Sequence, residues 1–202
     1  AKWLAPRIYR FVDAHPDIEL RLAASLKRSD FTTEEVDAVI RFGAGDYPAL
    51  HVEQLFEDRA TPLASPSLVK GAKPLREPAD LANHTLLHDD SMVFMRESVR
   101  WSDWLEAAGV LGAAVSPQAA ERGPRFNHAD HGIDAAIDGA GVVFGREVLA
   151  ERDIRRGQLV APFDLYLPTG ASFWFCCPPD ALHREKVKVF RNWLFDELAR
   201  TD

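Results

Sequence analysis

The chain has 202 residues, 47% of them hydrophobic and 27% charged, with a formal net charge of -7. That is enough apolar material for the core of one large domain or of two small lobes, which excludes a disordered chain. No apolar run reaches the roughly 18 residues a membrane span requires, and an acidic chain whose basic run REKVKVFR (184–191) is followed by acids lacks the concentrated positive face that nucleic-acid binding demands.

Trp3, Leu4, Ile8, Phe11 and Val12 recur at helical spacing, Pro6 is tolerable only in a first turn, and His15-Pro16 closes the segment, so a helix opens the chain. Its start lacks the order of a secretory signal. Ile18, Leu20, Leu22 and Ala24 alternate and predict a strand. SDFTTEEV (29–36) predicts a short capped helix, and DAVIRF (37–42) a buried strand ended by Gly43. Helix, strand, helix, strand signals a parallel sheet wrapped by helices.

LHVEQLFEDRATPLASP (50–66), punctuated by Pro62 and Pro66, reads as one long crossing strand. The pattern then restarts. SPSLV and EPADL open short helices, TLLHDD is a strand, WSDWLEAAGV an amphipathic helix and PRFN a strand. A helix over 128–138 places Ile133, Ala136 and Ile137 on one face, with Ala140 beyond, and Gly139 stops it. GVVFG is a short buried strand, REVLAERDIRRG a helix and QLVAPF a strand. A second crossing, VAPFDLYLPTG, leads to a strand SFWFCC and a terminal helix begun by Asp180, with Leu182, Val187, Phe190, Leu194 and Leu198 on one stripe. Cys176 and Cys177 are neighbours in that strand and face opposite sides, which predicts buried thiols in a reducing compartment and no mutual disulfide. Two crossings with a restart between them imply two lobes and a small-molecule cleft.

The stretch FNHADHG (126–132) concentrates polar chemistry. His128, Asp130 and His131 match the last positions of a binuclear zinc motif, but Phe126 stands where its first histidine belongs. His15, His51, His84, His88 and His183 show no ligand spacing. The same stretch begins a helix, whose free N–H groups and dipole favour negative charge: Asn127 or Asp130 caps it internally, or the amides hold a ligand carboxylate with help from Asn127 or His128. His88, Asp89 and Asp90 after a strand read as a solvated turn. GAGDYP (43–48) has two glycines of a dinucleotide fingerprint without a following helix. Phe173, Trp174 and Phe175 alternate faces, so one of them can stack on a ligand, although core packing accounts for any single one, as it does for Trp101 and Trp104.

Taken together, VDAVIRFGAGDYPALHVEQLFEDRATPLASPSLV, LREPADLANHTLLHDD, WSDWLEAAGV, GPRFN, AAIDGAGVVFGREVLA and GQLVAPFDLYLP resemble the effector-binding domain of LysR-type transcriptional regulators, in the branch of the glycine-cleavage activator and the β-lactamase regulator. The resemblance implies an α/β fold of two Rossmann-like subdomains joined by two crossing strands, like a type 2 periplasmic binding protein. Subdomain I would comprise 1–62 and 163–202 without its first strand, and subdomain II 63–162. The winged helix-turn-helix of such regulators would lie outside this chain. Carried over by position, the effector-binding residues are Ser25, Phe126, Asn127, His128, Ala129, Asp130, Phe173 and Trp174. Members of this branch carry serines in the helix-start segment and tyrosines in the late strand. Asn127-His128-Ala129-Asp130 and Phe173-Trp174 thus point to a different effector.

The implied function is an effector-sensing regulatory domain of a bacterial, cytoplasmic, homodimeric transcription factor that touches DNA only through the absent domain. No catalytic residue, metal, cofactor or membrane contact is expected, and a carboxylate suits the helix start. The alternatives are an extracytoplasmic solute-binding protein and a metal-dependent hydrolase using His128, Asp130 and His131.

Overall fold

Pro6 lacks an N–H and fixes its own φ, so it fits a first turn. In the computed structural model, which describes residues 2–24, 31, 34–93, 95 and 98–200, Ala5–Arg7 form a 3-10 turn running into helix α1 (Ile8–Ala14). Phe11 is the buried anchor of α1, edge-on to Phe190 at 5.3 Å and Trp193 at 5.2 Å between ring centroids. Val12, placed on the apolar face by the sequence pattern, is exposed together with Tyr9.

The alternating segment 18–24 forms no strand. Alternation marks a surface with two faces, but a strand exists only through a hydrogen-bonded neighbour, and no described segment pairs with it. Half of SDFTTEEV lies outside the described residues, and Glu34–Val36 are not helical. Strand β1 (Val39–Gly43) follows as predicted, then β2 (His51–Leu63), 13 residues long.

After β2 come α2 (Pro66–Val69), a 3-10 turn over Pro78–Asn83, β3 (Leu86–Asp89) and α3 (Trp101–Ala107). The short α4 (Pro117–Ala120), which the sequence pattern does not announce, is capped by Ser116 Oγ accepting from the Ala119 amide. Then follow β4 (Arg125–Phe126), α5 (Ala129–Ile137), β5 (Val142–Arg146) and α6 (Glu147–Arg155). Of QLVAPF only Val160 pairs, bridging Ala64 in both directions; Pro162 has no N–H to extend the ladder. Only the end of the second crossing, from Leu167, is strand, and it runs without interruption into SFWFCC as β6 (Leu167–Cys177), before a 3-10 turn and α7 (Glu185–Ala199).

The chain divides into two units, Ala1–Glu57 with Ala171–Asp202, and Asp58–Gly170, with both divisions inside the long strands β2 and β6. In the first unit β6 pairs with β1, antiparallel, Val39 opposite Cys176 and Gly43 opposite Ser172. The parallel pairing predicted from the opening helix-strand alternation is absent among its described residues. In that unit α7 buries Val187, Trp193 and Leu194, and Glu197 is buried with Arg10 Nη1 at 2.6 Å.

In the second unit β5 lies antiparallel to β2, Ala60 opposite Arg146, and parallel to β3, which is parallel to β4. Trp101 and Trp104 are core residues here, buried beside Phe144 and Phe163. Each indole N–H donates to a backbone carbonyl, Leu87 O and Leu165 O, both at 2.9 Å, so burial leaves neither indole unpaired. Gly139, with φ of 81°, ends α5 as predicted. Gly141 lets β5 start close to β3: a Cβ there would lie 2.3 Å from Thr85 O.

Candidate functional site

Parallel strands end on the same side of a sheet, and in the second unit those ends are Asp89 of β3, Phe126 of β4 and Arg146 of β5. Asp89 is level with Phe126, and the Asp90 amide donates to Phe126 O at 2.8 Å. Helix α5 begins directly beyond, with His128 as N-cap in extended backbone (φ -127°, ψ 126°) and no side-chain cap. The internal capping by Asn127 or Asp130 weighed from the sequence is not made. The first-turn amides keep their partial positive charge at this edge. Asn127 and Asp130 are not buried against the helix end: both are exposed, while His128 is half-buried and Ala129 is buried under the turn.

Close packing fixes the position of that helix start. A Cβ on Gly132 would lie 3.2 Å from Val143 Cγ2 and 3.4 Å from Phe126 Cδ2. The Phe126 ring therefore sits beneath α5 as part of its seat. The His128 and His131 rings lie 5.2 Å apart, tilted by 44°. With Asp130 they do not converge as a metal-holding trio, and no group of three His, Cys, Asp or Glu does so among the described residues.

Beside the helix start is a charge cluster that sequence reasoning did not find. Arg146 Nε lies 3.8 Å from Asp58 Oδ2 and 3.9 Å from Asp89 Oδ2, with side-chain exposures of 9% for Arg146, 0% for Asp58 and 3% for Asp89. Thr169 Oγ1 lies 3.2 Å from both Asp58 O and Asp58 Oδ2, to which it donates, and Asp89 Oδ1 accepts from the Ser91 amide at 2.9 Å. Asp58 Oδ1 and Asp89 Oδ2 are buried without a hydrogen-bond donor among the described residues. Burial pushes the Asp58 carboxyl up to about 6, Arg146 and Thr169 pull it back, and Asp89 adds to the rise. The predicted solvated turn at 88–90 is therefore corrected: His88 is buried with its ring Nε2 3.0 Å from Arg122 O, Asp89 belongs to the cluster, and only Asp90, 3.2 Å from Arg125 Nη1, lies nearer the surface. An arginine closing a buried strand, Arg146, was the available signal.

Phe173 and Trp174 belong to the first unit. Phe173 sits 4.8 Å from both the Phe42 and Phe56 rings. Trp174 Nε1 donates to Gly43 O at 2.8 Å, and its ring lies so close to Gly45 that a Cβ there would meet Cζ2 at 2.5 Å. GAGDYP is thus a loop shaped around an indole, with Gly45 at φ of 88°. Both aromatics are partly buried in this packing, and Phe175 wholly so. Cys176 and Cys177 are free, buried thiols, as predicted; burial pushes Cys176 up to about 11. Ser25 lies outside the described residues. The structure thus places Phe126 to Asp130 together at one helix start and Phe173 and Trp174 side by side in the other unit.

The LysR substrate binding domain family matches residues 1–199 of this chain. The chain belongs to that family. It is 36% identical over 197 residues to the glycine cleavage system transcriptional activator of Escherichia coli strain K12, covering 98% of this chain and 61% of that protein. To the HTH-type transcriptional activator AmpR of Citrobacter koseri it is 33% identical over 192 residues, covering 95% and 61%. Among solved structures, the effector domain of the transcriptional regulator AmpR of Pseudomonas aeruginosa superimposes with a TM-score of 0.75 at 29% identity, covering 98% of this chain and 89% of that one. This LysR substrate-binding domain therefore spans about three fifths of the curated relatives it matches. Its mixed α/β fold is the type 2 periplasmic-binding-protein-like fold that the sequence resemblance implies. It is an effector-binding regulatory domain, and its family is not one of enzymes. Among the described residues no helix is long and apolar enough to cross a membrane.

Proposed function

We propose that this domain binds a small organic carboxylate at the start of α5 and so controls a cytoplasmic LysR-type transcription factor, homodimeric through this domain, whose DNA contacts lie in another part of the protein. The observation that carries the reading is the α5 N-terminus, uncapped by any side chain among the described residues and set at the carboxyl ends of β3, β4 and β5. First-turn amides hold the carboxylate, and Asn127 and His128 add side-chain hydrogen bonds that set its orientation. An effector that binds one conformation better than another shifts the population of the regulator by that difference in affinity.

Thermal unfolding of the domain against aliphatic and aromatic carboxylates tests this. A ligand at about a hundred times its dissociation constant adds about 2.7 kcal/mol if it binds only the folded state. His128→Ala should weaken the response and leave the unliganded midpoint nearly unchanged. A stabilising ligand whose effect is untouched by Asn127→Ala, His128→Ala and their combination would refute this placement.

A further inference from the structure

Resting on that reading, we propose that the effector carries a primary ammonium group besides its carboxylate, as an amino acid or the amino end of a peptide does, and that Asp58 and Asp89 receive it. Among the described residues the two carboxylates share one guanidinium, leaving the trio one negative charge in excess when both are ionised. Arg146 Nε stands 3.8 and 3.9 Å from their nearest oxygens, beyond hydrogen-bond length. Asp58 Oδ1 and Asp89 Oδ2 receive no donor from the described residues, although both side chains are at most 3% exposed. A buried carboxylate oxygen without a donor is costly, and an ammonium group supplies the missing charge and up to three N–H donors.

Location points the same way. Asp89 ends β3 level with Phe126, and α5 starts beyond Phe126. The anion-favouring helix start and the cation-favouring acids therefore border the same strand ends of the second unit. A ligand with opposite charges a few bonds apart matches this order, whereas a simple carboxylate leaves the acids unanswered. Thr169, donating to Asp58 Oδ2, holds that carboxylate in place. The burial that lifts the Asp58 carboxyl is consistent with an anion kept dry for a partner.

The experiment is calorimetric titration of the domain at pH 7.5 with the standard amino acids and alanyl dipeptides, each beside its N-acetylated and its deaminated counterpart. Wild type is compared with Asp58→Asn, Asp89→Asn and His128→Ala, and urea unfolding checks that each variant is folded. The proposal expects at least one amine-bearing ligand to bind, its N-acetylated and deaminated forms to bind at least tenfold more weakly, and Asp58→Asn and Asp89→Asn each to remove most of that tenfold preference. Deaminated acids binding as well as amines, with loss in His128→Ala, would overturn the ammonium site and leave the carboxylate reading standing. Amine binding unchanged in both aspartate variants would overturn it equally. Silence from every ligand in folded protein would count against both.

Discussion

Replacing Asp58 by asparagine tests whether the buried charge cluster carries the cost that its geometry implies. The Asp58 carboxyl titrates at about 6 in the folded protein against 3.8 for the free side chain. Between those values the folded state holds a proton that the unfolded chain has released, so stability falls as pH rises from about 4 to about 6 and stays lowered above. The displacement of about two pH units corresponds to about 3 kcal/mol at 1.36 kcal/mol each. An asparagine side chain keeps the shape of the protonated acid and cannot ionise. Asp58→Asn should therefore gain up to about 3 kcal/mol over wild type at pH 8 and little at pH 4, with the difference opening between pH 4 and 6. Urea unfolding of both proteins from pH 4 to pH 8, compared at equal m-values, measures it, because the titration of every other group largely cancels in the difference. A difference independent of pH, or a variant weaker than wild type at pH 8, would show that Asp58 is not a costly buried anion.

Trp104→Ala removes a fully buried indole and its bond to Leu165 O; a loss of about 3–5 kcal/mol in chemical denaturation is expected. In Gly141→Ala the new methyl meets Thr85 O and opposes the Val142 amide bond to that same carbonyl, so a loss above about 2 kcal/mol is expected, with faster hydrogen exchange at Val142. Cys176 and Cys177, buried and with raised pKa, should resist a thiol reagent in native protein at pH 8 and react fully in urea; rapid native labelling of either would contradict their burial.

Much of the fold was legible because most elements between 66 and 155 declare themselves locally, by a complete helical or strand period bounded by Pro or Gly. Where the sequence misled, the missing information was a neighbour. Residues 18–24 alternate well enough for a strand but find no partner among the described residues. The crossing VAPFDLYLPTG and SFWFCC read as separate segments, yet Gly170, at φ of 72°, lies inside the continuous β6 that joins them. Four-residue α4 is too short to carry a period. The α5 start was readable for the same local reason that helix starts generally are. The Asp58–Arg146–Asp89 cluster was not, because its members come from three strands and meet only once β5 has found both β2 and β3 in register. Asp89 in isolation looks like any acid after a strand.

Whether a ligand is held at the start of α5 is decided by amide chemical-shift mapping of the isotope-labelled domain during titration with the ligand that stabilises it best. The largest shifts should fall on Asn127, His128, Ala129 and Asp130, saturating with the same dissociation constant as the thermal response. The second unit also has a surface hollow of about 440 Å³ near Ser67, Lys73 and His84, before the amino ends of β3 and β5. Shifts confined to that hollow, with the α5 start unmoved, would place the ligand there and overturn the proposal.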